Sequence, residues 1–267
     1  EHFQYYAGDA WPCWALSNHD VMRVVSRWTE HENLEQHGPL VAKVATVMLC
    51  SLYGSICLYQ GEELGLPEAD VPYERLVDPY GLALWPEYKG RDGCRTPMPW
   101  ESGEHGGFTS VEPWLPVDGH HRQLSVEKQH ADAESTLNVT RQFLRWRKSQ
   151  SAMVDGTLIL SDFDDELLGW LRVSHDQAIL AVFNLTEESR STSLPDGAGE
   201  IVYQAGFTAH LSEGRLTLPA FQAAFVHIDR ESIDPRALIE QEPDPERKGF
   251  LSRLLGSLIR HDESEPR

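Results

Sequence analysis

The chain has 267 residues, 40% hydrophobic and 24% charged, enough for one large globular domain or two smaller ones. Its 42 acidic and 23 basic residues give a formal charge of −19, which repels nucleic acid and anionic membrane surfaces and suits a neutral small-molecule partner. With no run of about 18 apolar residues, no transmembrane helix is expected.

The first residues, Glu1 to Tyr6, carry neither an initiator Met nor a basic-then-apolar signal, and read as a cut or as the start of a mature or recombinant piece. Residues 11–17 form a short apolar run that predicts a strand and stops at Asn18-His19-Asp20. Pro39 to Tyr53 predicts a buried helix, with Pro39 in its first turn and Gly54 closing it. Ser55 to Tyr59 then reads as a buried parallel strand ending at Gln60-Gly61. Strand, helix and strand with short links make a β/α unit.

From Leu66 to about Pro116 the chain is rich in Pro, Gly and Trp and lacks periodicity, so a long functional loop is expected. A helix is predicted from about Ser125 to Lys148, with Leu137, Val139, Phe143, Leu144 and Trp146 as its apolar positions. Beyond Met153 six short β-type runs follow: Thr157–Leu160, Leu167–Val173, Ala178–Asn184, Glu200–Tyr203, Arg215–Leu218 and Ala223–Ile228. They predict a small antiparallel β-sandwich. The tail from Asp229 is charged, and Phe250 to Ile259 has the spacing of a short amphipathic helix. The cysteines, Cys13, Cys50, Cys57 and Cys94, form no CxxC pair. All four are expected to be reduced thiols, as suits the cytoplasm, with Cys50 and Cys57 buried.

Three polar clusters follow one another at strand ends and in one loop. They are SNHD at residues 17–20, YQGEELG at 59–65, and GRDGCRTPMPW at 90–100. Alone, Asn18-His19-Asp20 fits a capped turn as well as an active site. Together the three resemble glycoside hydrolase family 13, within it the α-glucosidase and oligo-1,6-glucosidase group. They match the ends of barrel strands seven and eight and the loop after strand eight. The resemblance covers residues 1 to about 228.

It implies an α/β plus β fold: the C-terminal part of a (β/α)8 TIM barrel, about strands 7 and 8 with the loop after strand 8, then a small antiparallel β-sandwich. The expected divisions are 1–153 for the barrel portion, 154–228 for the β domain and 229–267 for the tail. The resemblance also implies retaining hydrolysis by a nucleophilic Asp and an acid/base Glu, assisted by a third carboxylate. Asp20 matches that third carboxylate, the transition-state stabiliser. His19 matches the histidine that binds the first sugar, and Arg91 and Arg95 join the substrate-binding set. Arg91 is favoured as the arginine over the first sugar, leaving Arg95 a buried ion pair.

Asn18 is expected to shape the strand end, and Arg23 to be an outlying pair or a surface residue. Glu62 and Glu63 are expected to open the loop rather than catalyse, and Tyr59, Trp85 and Trp100 to pack. The stretch carrying the nucleophile and the position of the general acid find no match, so the chain by itself is expected to be an inactive C-terminal fragment. No metal or cofactor is expected, and the partner is an oligosaccharide substrate. Val21 and Met22 after Asp20 lean the reading toward α-1,4-linked maltose-type substrates. The alternatives are an oligo-1,6-glucosidase, a transglycosylating or isomerising relative, and a non-catalytic binding chain.

Overall fold

The computed structural model describes residues 10–29, 33–161, 163 and 166–233. The chain divides into two compact units. One comprises Cys13–Ser149 with Gln204–Thr208; the other holds Gln150–Tyr203 and the chain from Ala209 onward. The expected helix Phe250–Ile259 lies outside the described residues. Among the described residues no helix is long and apolar enough to cross a membrane.

In the first unit, β1 (Cys13–Trp14) and β2 (Ser55–Ile56) pair in parallel, Cys13 opposite Ser55 and Trp14 opposite Ile56. The expected strand–helix–strand unit is therefore present, with strands shorter than the apolar runs that announce them. Between them lie α1 (Val24–Trp28) and α2 (Leu34–Ser51). α2 starts earlier than expected, so Pro39 sits in its second turn rather than its first. A proline inside a helix costs about 3 kcal/mol, whereas each buried aliphatic side chain contributes roughly 1.5–3 kcal/mol. Val41, Val44, Val47 and Leu49 are all buried, and their packing outweighs the proline. Past the helix end, Gly54 adopts φ 116° and turns the chain into β2. Of the two cysteines expected to be buried, Cys50 is and Cys57 is not. Cys57 follows a two-stranded ribbon that no further strand covers among the described residues, whereas Cys50 lies on α2 in the apolar interior. Burial pushes the Cys50 thiol up to about 12.

The long loop carries a short helix, α3 (Pro79–Leu84), and two single turns, Tyr73–Arg75 and Asp92–Cys94. Asp78 caps α3 by accepting from Tyr80 N, with Pro79 at the first helical position. α4 (Gly119–Gln123) follows, capped by Asp118. The single helix expected over 125–148 is two helices, α5 (Val126–Ala131) and α6 (Thr136–Lys148). Local side-chain bonds compete with the helix at the break. Ser135 Oγ accepts from Asn138 N, and Asn138 Nδ2 donates to Asp132 O at 2.7 Å. The buried Gln129 amide donates to Leu64 O and Leu124 O and accepts from Leu137 N. α6 buries Leu137, Val139 and Phe143.

Among its described residues the second unit has α7 (Ser151–Val154) followed by eight strands. These are β3 (Thr157–Leu160), β4 (Leu167–Val173), β5 (Ala178–Asn184), β6 (Arg190–Ser193), β7 (Ala198–Tyr203), β8 (His210–Ser212), β9 (Arg215–Leu218) and β10 (Gln222–Ile228). They form two antiparallel sheets, ordered β3-β4-β5-β10-β7 and β6-β9-β8. One apolar cluster draws from both, with Leu180, Val182, Ala224 and Val226 beside Leu216 and Leu218. Phe183 meets the Phe225 ring edge-on at 5.9 Å. All six expected runs appear with the expected start or end, four of them with both, but β6 and β8 were not expected. Both are short and polar, and they are strands because each pairs with β9.

Candidate active site

The turn after β1 is built by its own polar side chains. Ser17 is buried and its Oγ accepts from Val24 N at 3.0 Å, satisfying the first amide of α1 from outside the helix. Asn18 Oδ1 accepts from Asp20 N at 2.8 Å, a local turn that fixes the backbone on which His19 and Asp20 stand. Asn18 thus shapes the strand end. The His19 and Asp20 side chains are 71% and 50% exposed, so both remain accessible while their backbone is held.

Asp20 Oδ1 accepts two guanidinium hydrogen bonds, from Arg91 Nη1 at 2.9 Å and from Arg95 Nη2 at 2.9 Å. Its Oδ2 lies 3.3 Å from His19 Nε2. Desolvation pushes the Asp20 carboxyl up, but the His19 charge and the Arg95 and Arg91 hydrogen bonds outweigh it. The group is held below the usual carboxylate range, and so stays ionised. Arg95 Nε also donates to His19 O at 2.7 Å, clamping the backbone beside Asp20. The structure therefore gathers all four residues singled out in the sequence, from two stretches more than 70 residues apart.

The buried ion pair expected of Arg95 belongs to Arg91 instead. Arg91 Nε and Nη2 donate to Asp78 Oδ2 and Oδ1 at 2.9 and 3.0 Å, and the Asp78 side chain is fully buried. The Arg91 hydrogen bonds hold the Asp78 carboxyl well below the usual range, against the opposing effect of burial. Asp92 Oδ2 in turn accepts from Val77 N and Asp78 N at 2.7 and 2.8 Å. The Arg91 guanidinium also lies over the Tyr80 ring, 5.1 Å from its centre. Asp78 and Asp92 escaped the sequence reading. The available signal was the Asp-Pro step of a helix cap followed by an Arg-Asp step at residues 91–92.

Arg23 is 1% exposed and is neither a surface residue nor a simple ion pair. Its Nη1 donates to Gln60 O at 2.7 Å and its Nη2 to Cys94 O at 3.0 Å, while its backbone N donates to Glu68 Oε2 at 2.9 Å. Tyr59 lies against the same guanidinium and donates its hydroxyl to Cys94 O at 3.1 Å. Arg23 thus ties the segment after β2 to the residue just before Arg95. Glu62 accepts from Tyr59 N and Glu63 from Gly61 N, so both shape the opening of the loop. Burial pushes the Glu68 carboxyl up to about 7, opposed by the Arg23 amide bond and charge. His121 is buried, with Nε2 2.8 Å from Pro67 O and Nδ1 3.4 Å from Thr96 Oγ1, and burial pushes it down to about 4.

Trp85 packs against Tyr73 and the cluster of Val71, Leu76 and Leu115, as expected. Trp100 instead stands half exposed, and its backbone O accepts from Glu127 N at 3.0 Å. Among the described residues no group of three or more His, Cys, Asp or Glu side chains is arranged to hold a metal ion.

Residues 1–156 match the family model described as alpha amylase, catalytic domain. A probable alpha-glucosidase of Rhizobium meliloti (strain 1021) is 42% identical over 230 residues, 85% of this chain and 40% of that protein. An oligo-1,6-glucosidase of Parageobacillus thermoglucosidasius is 30% identical over 217 residues, 74% of this chain and 37% of that protein. Among solved structures, an alpha-glucosyl transfer enzyme superposes with a TM-score of 0.77 at 44% identity, covering 82% of this chain and 41% of that one. The chain spans about two fifths of the length of the relatives it matches.

Proposed function

Since the chain belongs to the family of alpha-amylase catalytic domains, we propose that it carries the stabilising carboxylate and first-sugar side of a retaining α-glucosidase site. The substrates are maltose and short malto-oligosaccharides with terminal α-1,4-linked glucose. β1 and β2 are in this reading the last two strands of a (β/α)8 barrel, and the two antiparallel sheets its C-terminal sandwich. The carrying observation is Asp20, ionised by two guanidinium bonds to one oxygen yet still half exposed. A fixed negative charge of this kind stabilises an oxocarbenium-like transition state, in which positive charge develops at the anomeric carbon. His19, beside Asp20 Oδ2, supplies a hydrogen bond to a hydroxyl of the same sugar. A neutral sugar also suits a chain whose charge of −19 repels polyanions.

The nucleophile and the general acid find no counterpart among these residues, so both belong to a segment outside this chain. Held ionised, Asp20 has no proton to donate, and in this reading it acts through its charge. The 267-residue chain alone should leave p-nitrophenyl α-glucoside unhydrolysed, and measurable turnover would show that it holds a complete site. In the enzyme that carries this chain, D20N should lower kcat by about 10²–10³-fold, the scale of losing one electrostatic stabiliser. Near-normal turnover of a folded D20N protein overturns the assignment. H19A should chiefly raise KM, and unchanged kinetics would make His19 structural.

A second reading is glucosyl transfer rather than hydrolysis, supported by the 44% identity to a solved alpha-glucosyl transfer enzyme. Product analysis on concentrated maltose separates the two: glucose alone means hydrolysis, and longer or isomeric glucosides mean transfer.

A further inference from the structure

We propose that Asp78 is a positioning residue for the Asp20 carboxylate, acting through the Arg91 guanidinium. The inference rests on the reading of Asp20 as the site's stabilising carboxylate and deepens it. The Asp78 side chain is fully buried, so it cannot meet a sugar. Its partners are four N–H groups: Arg91 N at 2.7 Å, Arg91 Nε at 2.9 Å, Arg91 Nη2 at 3.0 Å and Tyr80 N at 3.3 Å. Three of the four belong to Arg91, and the contact that caps α3 is the longest. Capping a six-residue helix needs no charge, since Ser or Asn serves as well. The charge of Asp78 is therefore matched to Arg91.

The geometry explains what the match achieves. A guanidinium is a rigid planar fork. When Asp78 takes the Nε and Nη2 edge, the plane and direction of the fork are fixed, and Nη1 is left pointing at Asp20 Oδ1, 2.9 Å away. The Tyr80 ring lies against the same guanidinium. Asp92 holds the backbone of Val77 and Asp78, so the carboxylate is itself held in place. The chain comes back onto Asp78 through two glycines in backbone contact. A Cβ on Gly90, at φ +78°, would lie 2.8 Å from Gly81 Cα and 3.0 Å from Asp78 Oδ2. Arg95 reaches Asp20 by a separate route, anchored on His19 O. Loss of Asp78 should therefore weaken the site partly, leaving one of the two guanidinium bonds.

The test uses the enzyme that carries this chain, with kcat and KM measured for D78S, R91A, D78S/R91A and D20N. D78S keeps the cap of α3 and removes the fork. It should lower kcat about 10–100-fold, less than D20N, with KM within about threefold of wild type. The double variant should be no slower than R91A, because both changes remove the same fixed donor. Guanidinium chloride at low millimolar concentration should restore part of the R91A activity but none of the double variant's, because Asp78 is what seats the free ion. A purely structural role for Asp78 does not make rescue depend on it. If R91A fails to fold, R91K completes the same cycle, since an ammonium cannot fork Asp78 and reach Asp20 together; D78N likewise replaces D78S. Wild-type kcat in a folded Asp78 variant, losses that multiply, or rescue independent of Asp78 overturns the proposal. If D20N itself keeps normal kcat, the reading of Asp20 fails; if D20N is impaired and the Asp78 variants are normal, only the positioning role fails.

Discussion

In the unit of Gln150–Tyr203 and Ala209 onward, strand ladders pair the backbone, and β5 is bonded to β4 on one side and β10 on the other. In the unit of Cys13–Ser149, described strand pairing spans two residues per strand, and buried side chains meet the backbone instead. Arg23 serves Gln60 O and Cys94 O, Asp92 serves Val77 N and Asp78 N, and Gln129 serves Leu64 O, Leu124 O and Leu137 N. Both units bury an arginine completely. Arg172 donates twice to Gly156 O, and Arg23 spans two stretches 34 residues apart. Irregular backbone must satisfy its polar groups with side chains. The same requirement fixes charged groups at the surface in defined geometry. The candidate site lies in the unit with the irregular backbone.

Breaking that contrast is expected to be most costly at Arg23. R23M strands the Gln60 and Cys94 carbonyls and the carboxylates around them, and should destabilise the Cys13–Ser149 unit by about 3–5 kcal/mol. It should also lower kcat, because Cys94 precedes Arg95. Denaturant unfolding with a wild-type midpoint would remove the basis of the comparison. In the sheet unit, L218A opens the shared core and should cost about 3 kcal/mol. There the folded enzyme should keep its kcat, and a tenfold loss would show that the site depends on the sheets. The smallest expected effect is a pair of opposed pH slopes.

Glu68 has a folded pKa of about 7 against an ordinary 4.5, so its contribution is fully present below pH 4.5 and lost as pH rises through 7. His121 has a folded pKa of about 4 against 6.5, so its contribution is present above pH 6.5 and lost as pH falls toward 4. Relative to wild type, E68Q should therefore gain stability as pH rises from 4.5 to 7. The deficit of H121N should shrink as pH falls from 6.5 to 4. Thermal melts across that range read both differences, and parallel curves would mean that neither group titrates as described.

Much of the architecture was legible because hydrophobic pattern is local. The strand–helix–strand order needed only apolar runs and glycine punctuation, and β3, β4, β5 and β9 lie where their runs lie. β6 and β8 were invisible, since Arg190–Ser193 and His210–Ser212 gain strand character only from β9. The break between α5 and α6 was hidden for a related reason. Gln129 and Asn138 stop the helix with bonds to particular carbonyls, including Leu64 O, 65 residues away. At the candidate site, the family resemblance named His19, Asp20, Arg91 and Arg95, but not which arginine holds which acid.

The sequence by itself determined the family and the chemistry at hand: an imidazole and a carboxylate at a strand end, and two guanidiniums in a later loop. Tertiary structure decided the assignments. Arg91 rather than Arg95 takes the buried carboxylate, Asp78 supplies it, and Arg23 leaves the surface to bind two carbonyls. The reason is physical. An apolar pattern reports burial residue by residue. The partner of a buried charge, by contrast, is set by which distant segment closes over it, and Arg91 finds one acid 13 residues away and another 71 residues away.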